Sequence, residues 1–179
     1  MTMHEDLSSF IRCIPDFPRK GIVFRDITTL LKNGRALASA VDQLYGRYRD
    51  TRIDKVVSIE SRGYILGAPL AYKLAAGFVP IRKPGKLPAE TLRQEYALEY
   101  GKDTIEIHKD AVSRGERILL HDDLLATGGT AVAACQLIEQ LGGTIAGLSF
   151  LIELDFLQGR SRLSNYDVFS LIRYEAEEV

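Results

Sequence analysis

Cysteine is scarce in this chain, and the two present, Cys13 and Cys135, stand far apart with no paired spacing. That argues against a disulfide framework and against a zinc site, and leaves two reduced thiols in an intracellular protein as the plain reading. No metal-ligating set of side chains is read from the sequence. Long apolar runs are missing as well, so no stretch is long enough to span a bilayer. The opening residues, Met-Thr-Met-His-Glu-Asp, lack the basic-then-apolar pattern of a secretory signal. The expectation is a cytoplasmic protein with no membrane partner. Excess charge is absent too: the formal net charge is −1 and no long basic block occurs. Non-specific nucleic-acid binding therefore has little electrostatic support, and no nucleic-acid partner is expected. There is neither a Walker A loop nor a Gly-x-Gly-x-x-Gly fingerprint, and no internal repeat or low-complexity stretch.

What is present is an alternation of strand and helix patterns within 179 residues. One domain, 1–179, is the natural count, and a domain of that size buries roughly 70% of its unfolded surface. Residues 7–13 read as a short amphipathic helix stopped by Pro15. Residues 35–48 carry apolar side chains at helical spacing. Strand 55–59, helix 63–76 and strand 77–81 follow, then strand 117–120, helix 130–141 and apolar strands at 145–152 and 168–172. Strands separated by helices of this length imply right-handed crossovers and an α/β fold with a mainly parallel central sheet flanked by helices. Residues 87–110 depart from the alternation. There 94–98 and 104–108 read as two strands around a turn at Gly101-Lys102-Asp103, a hairpin of the kind that serves as a lid.

The most informative segment is His121-Asp122-Asp123-Leu124-Leu125-Ala126-Thr127-Gly128-Gly129-Thr130. Two carboxylates sit where an apolar strand runs out, and a small-residue turn then opens a helix. Such a turn presents free N–H groups and the positive end of a helix dipole, which together make an anion site. Glycines let a phosphate approach the main chain. The acids repel an anion and suit hydroxyls or a hydrated divalent cation instead. In parallel sheets ligands gather beyond the carboxyl ends of the strands, so the loops after the other strands matter too. One is Glu60-Ser61-Arg62-Gly63, and another is Arg82-Lys83-Pro84-Gly85-Lys86. Basic loops suit a pyrophosphate, which Arg clasps with a bidentate fork and Lys meets as a point charge.

The acid pair and its turn resemble the phosphoribosyl pyrophosphate (PRPP) signature of the type I phosphoribosyltransferase family. In that family the acids hold the ribose 2′- and 3′-hydroxyls and the turn wraps the 5′-phosphate. The resemblance gives the hydroxyls to Asp122 and Asp123, and the phosphate to Ala126, Thr127, Gly128, Gly129 and Thr130. His121 departs from the family, which usually has an apolar residue there; a strand residue with a satisfied hydrogen bond, or a titrating group beside the site, are both open. Further segments resemble the adenine-using members of the family: Pro15-Asp16-Phe17-Pro18, Gly21-Ile22-Val23-Phe24-Arg25-Asp26, Ser61-Arg62-Gly63, Arg82 to Pro88 and Leu98-Glu99-Tyr100-Gly101.

That resemblance implies transfer of a phosphoribosyl group from PRPP to adenine, giving AMP and pyrophosphate, with Mg2+ bound alongside PRPP or pyrophosphate and usually in a homodimer. It makes 1–34 a base-binding hood and 87–110 a flexible lid. Phe24 would stack on adenine, Val23 and Arg25 would read its edge through main-chain groups, and Leu124 would close the other face. Without the resemblance, Phe24 reads as core. Ser61, Arg62, Gly63, Arg82, Lys83 and Lys86 would bind pyrophosphate, the last three from within the subunit or from across a dimer interface. Glu99 would be the acid/base with Tyr100 closing the lid, and Arg62 would neutralise the leaving group. Two alternatives remain at this stage: a transferase for hypoxanthine, guanine or xanthine, and a PRPP-sensing regulator.

Overall fold

A computed structural model describes residues 6–97 and 101–177. The first described element is a 3-10 turn, Leu7–Phe10, capped by the Asp6 carboxylate accepting from the Ser8 N–H. Strand β1 (Arg12–Ile14) then pairs antiparallel with β2 (Phe24–Asp26). The sequence predicts a helix over 7–13; the structure keeps only its first turn. The Leu7, Phe10, Ile11 spacing is helical, yet the pairing of Arg12–Ile14 with β2 overrides so short a local preference. Arg12 secures the ribbon, its Nε donating to Asp26 Oδ2 at 3.0 Å.

After a single turn, α1 (Thr28–Leu31), comes α2 (Gly34–Tyr48). Asn33 caps α2, its side-chain oxygen accepting from the N–H groups of Arg35 and Ala36, which satisfies two of the orphan donors at a helix start. Then follow β3 (Lys55–Ile59), α3 (Gly63–Lys73), β4 (Gly77–Ile81), the hairpin β5 (Thr91–Ala97) and β6 (Lys102–His108), β7 (Arg117–Leu125), α4 (Gly129–Gln140), β8 (Thr144–Leu154) and β9 (Val168–Tyr174). Two 3-10 turns, Asp155–Leu157 and Gly159–Leu163, join β8 to β9.

The main sheet has five strands in the order β4-β3-β7-β8-β9, all parallel. Its middle strands are nearly continuous apolar runs because both faces are covered. Side-chain alternation splits them between two cores. Val56, Leu119 and Leu151 face α2 and α3. Val57, Ile118 and Leu120 face α4 and the β5–β6 hairpin. The expected parallel α/β sheet is what forms. Its strands extend further than the apolar runs, however: β7 continues to Leu125 and β8 to Leu154.

Candidate active site

The site begins where β3 and β7 part. Their pairing ends at Ser58↔His121, whereas β7 stays with β8 as far as Leu125↔Glu153. Asp122 and Asp123 therefore lie inside β7, not beyond its end at Leu120 as the apolar run suggests. What frees one edge of them is the departure of β3 into the Glu60–Arg62 loop. The gap left is a cavity of about 420 Å³, lined among others by Asp122, Asp123 and Leu124.

Asp123 Oδ2 pairs with Arg62 Nε at 2.8 Å, and the Asp123 N–H donates to Asp122 Oδ1 at 2.9 Å. Burial raises the pKa of both carboxyls; for Asp122 the neighbouring Asp123 charge adds to the rise, while Arg62 opposes it at each. Two desolvated carboxylates thus stand with one guanidinium, and carboxylate oxygens can accept further hydrogen bonds. Hydroxyl groups brought by a ligand would supply them. A Cβ at Gly63 would fall 2.9 Å from Asp122 Oδ1, so only glycine lets the start of α3 lie this close to the acid.

Opposite the acids, Ala126, Thr127, Gly128, Gly129 and Thr130 line the same cavity. Gly128 has φ +79°, in the left-handed region, and no side chain caps α4. Among the described residues no side chain takes the first N–H groups of α4, a geometry that suits an anion. The helix starts one residue earlier than its alanine-rich run suggests. This turn is braced from behind by residues to which the sequence assigns no role. A Cβ on Gly159 would fall 2.1 Å from the Ala126 oxygen, and one on Gly128 would fall 2.7 Å from the Gly159 oxygen. Arg162 Nη1 donates to the Thr127 oxygen at 3.4 Å. Glycine at 159 marks this close approach, yet a lone glycine in a loop gives no sign of which backbone it touches.

The basic loops divide. Ser61, Arg62 and Lys83 line the cavity; Arg82 and Lys86 do not. Arg82 Nε lies 2.9 Å from Glu60 Oε2 and Lys86 Nζ 3.5 Å from Glu60 Oε1. Burial disfavours the Glu60 charge, but the Lys83 N–H and Arg82 outweigh it and hold the carboxyl below its usual range. Glu60 is thus the organiser of this loop, and only its position at a strand end pointed to it. Lys83 Nζ meets the Asp103 carboxylate and the Tyr96 hydroxyl, so the hairpin is tied to the basic loop. Tyr96 lines the cavity. The hairpin also rests on the phosphate turn, since a Cβ on Gly129 would lie 3.1 Å from the Ala97 oxygen. Strand β5 starts at Thr91, ahead of the predicted 94, and Lys102 and Asp103 belong to β6 rather than to the turn. Glu99 and Tyr100 lie outside the described residues.

Val23, Phe24 and Arg25 do not line this cavity; Phe24 borders it through Arg62, whose guanidinium carbon lies 5.5 Å from the Phe24 ring centre. Phe24 is half-buried and belongs to neither apolar core; its ring meets the edge of Phe17 at 5.2 Å. The Arg25 side chain is committed elsewhere, with Nη1 2.6 Å from Cys13 Sγ and its guanidinium 4.0 Å over the Tyr174 ring. The Val23 N–H donates to Glu177 Oε1 at 3.1 Å, a contact absent from the sequence reading.

Comparison with known proteins agrees with this geometry. A phosphoribosyl transferase domain family matches residues 26–178, and the chain belongs to that family, the class its sheet and acid-and-glycine cavity define. The adenine phosphoribosyltransferase of Chloroflexus aurantiacus is 60% identical over 95% of this chain and 98% of its own length. The crystal structure of adenine phosphoribosyltransferase from Thermoanaerobacter pseudethanolicus superposes with TM-score 0.93 at 52% identity, covering 96% of this chain and all of that one. That from Saccharomyces cerevisiae, complexed with an imino-altritol bisphosphate and adenine, gives 0.87 at 41%, covering 92% and 96%. Within the family, then, the chain groups with the adenine phosphoribosyltransferases.

Proposed function

We infer that this chain transfers the 5-phosphoribosyl group of PRPP to adenine, giving AMP and pyrophosphate in a purine-salvage reaction. The observation that carries this is one cavity holding the Asp122–Asp123 pair against Arg62 on one side and the uncapped start of α4 on the other. In this reading the ribose 2′- and 3′-hydroxyls donate to the two carboxylates. Residues 126–130 hold the 5′-phosphate through N–H groups and hydroxyls. Ser61, Arg62 and Lys83 take the pyrophosphate, and Arg82 and Lys86 join them by leaving Glu60. Adenine stacks on the exposed part of Phe24, with the main chain of Val23 and Arg25 at its edge and Leu124 on the other face.

The bond from C1′ to the pyrophosphate oxygen breaks as the bond from adenine N9 to C1′ forms. Glu99 takes the N9 proton, and Tyr100 helps close residues 87–110 over the site so that water is excluded. Residues 1–34 form the hood over the base. Magnesium would enter as a companion of pyrophosphate. The ion would be carried by pyrophosphate oxygens and water, where it neutralises charge on the leaving group. A cytoplasmic homodimer completes the reading. Among the described residues no helix is long and apolar enough to cross a membrane. Tyr72 and Ile65 give α3 an exposed apolar face for a second copy.

Initial rates of AMP formation with PRPP and adenine varied separately test the assignments. Phe24→Leu is expected to raise KM for adenine about tenfold, as loss of a stacking face should, and to leave KM for PRPP alone. Asp123→Asn is expected to do the reverse. If both variants match the parent, the site has been read wrongly.

A further inference from the structure

At the point where β3 leaves β7, three polar residues stand side by side across the sheet. Ser58 of β3 is in register with His121 of β7, and His121 with Ser149 of β8. All three are fully buried at 0% exposure. They share the face that carries Val56, Leu119 and Leu151, and α3 packs over Ser58 and His121. Polar residues at that depth need partners. His121 Nδ1 lies 2.9 Å from Ser149 Oγ, whose hydroxyl reaches the Leu120 carbonyl at 3.4 Å. A hydroxyl donating to that carbonyl accepts from the ring, so Nδ1 carries the proton and Nε2 is left with a lone pair. Burial pushes the imidazole pKa down to about 4, which keeps that lone pair available at neutral pH.

Among the described residues two buried atoms in this group have no partner: His121 Nε2, an acceptor, and Ser58 Oγ, a donor. Their residues are in register on neighbouring strands and face the same side of the sheet. A Cβ on Gly67 would sit 2.0 Å from Ser58 Oγ and 3.4 Å from His121 Cδ2, so hydroxyl and ring edge flank one point under α3. Gly63, one turn earlier on the same helix face, packs against Asp122 in the same way. The helix that carries Arg62 at its start therefore rests on both the polar row and the first acid.

We propose that rotation about the Ser58 Cα–Cβ bond lets its hydroxyl donate to His121 Nε2, making Ser58, His121 and Ser149 one hydrogen-bonded row in which His121 is a positioning residue for Asp122 and Asp123. The row ties β7 to both neighbours at the last residue before the acids lose β3. It thereby sets the acids' height relative to Arg62 and α3. His121 touches no reacting atom; it acts through the backbone it anchors. The proposal rests on the reading of Asp122 and Asp123 as ribose ligands.

The test joins kinetics to nitrogen NMR of the imidazole in the intact protein. The parent is expected to show the Nδ1–H tautomer, with an Nε2 resonance that moves in Ser58→Ala. An Nε2–H tautomer, or an Nε2 resonance indifferent to Ser58, overturns the row. Ser58→Ala is expected to raise KM for PRPP about fivefold, roughly the net worth of one hydrogen bond, and His121→Val to raise it further, with KM for adenine and kcat little changed. His121→Asn, whose amide can still donate toward Ser149, should recover part of the loss. A fall in kcat or in folded fraction with KM for PRPP unchanged would make the row merely structural and sink the proposal. Asp123→Asn separates the two layers. If it too leaves KM for PRPP unchanged, the ribose reading fails and the positioning role with it; if it alone raises that KM, only the positioning role fails.

Discussion

Between Asp122, Asp123 and Arg62 two carboxyls stand with a single guanidinium in a buried setting, an arrangement suited to accept from the hydroxyls of a ligand. Charge elsewhere around it is already matched: Glu60 with Arg82 and Lys86, Lys83 with Asp103. A pyrophosphate entering the basic loop must compete with Glu60 and Asp103, so its binding is expected to rearrange these pairs. For the proton transfer itself, Glu99→Gln is expected to lower kcat by roughly 10²- to 10⁴-fold, the range for a general acid/base, with PRPP binding by calorimetry unaffected. Near-parental kcat would remove Glu99 from the mechanism.

Among elements, the brace behind the phosphate turn is the most exacting. Gly159→Ala would drive a methyl into the Ala126 carbonyl and shift the 126–128 backbone. KM for PRPP is expected to rise tenfold or more, with adenine handling and secondary structure kept; an unchanged KM would mean the turn tolerates the shift. The brace is itself anchored by Arg160, whose Nε donates to buried Glu153 at 2.8 Å and whose Nη1 donates to the Val168 oxygen at 2.7 Å. Arg160→Met leaves that carboxylate without its main partner, although Ser170 and Arg173 remain near. Urea titration should show a loss of about 3 kcal/mol, the lower end for breaking a buried pair.

The legibility of these elements in the sequence follows their physics. Strands β3 and β4 were readable to the residue because each is a short apolar run closed by polar loops. Strand β7 was cut short because its last residues are polar at an edge that only β8 covers. Strand β1 was hidden, since three residues hold little pattern of their own and their strand state comes from pairing with β2. Asp122 to Thr130 and Arg62 were legible as a site from charge and glycine order. Glu60's grip on the basic loop, Gly159's approach to Ala126 and the Ser58–His121–Ser149 register were not, because each joins segments far apart in the chain.

At the scale of the whole molecule, the parallel sheet brings the loops after β3, β4 and β7 to one end, and two separate cores hold its faces. Buried His121 links the stability of this body to pH. Its folded pKa of about 4 lies below the ordinary 6.5, so the folded state favours the neutral ring. That stability is fully present above about pH 6.5 and is lost as pH falls toward 4, to a total of about 3 kcal/mol. Denaturant midpoints taken from pH 7 to pH 4.5 should fall more steeply for the parent than for His121→Val; parallel profiles would show that the ring does not control the loss.

The central claim is the reaction, and it is tested most directly by its products. The purified protein would be incubated with PRPP and magnesium and with adenine, hypoxanthine, guanine or xanthine in turn, each with an EDTA control, and nucleotide and pyrophosphate followed by chromatography. The account predicts AMP and pyrophosphate with adenine alone, abolished by EDTA. A different nucleotide would contradict the assignment of Phe24 and its neighbours to adenine, and no product with any base, despite measurable PRPP binding, would contradict the transfer reaction itself.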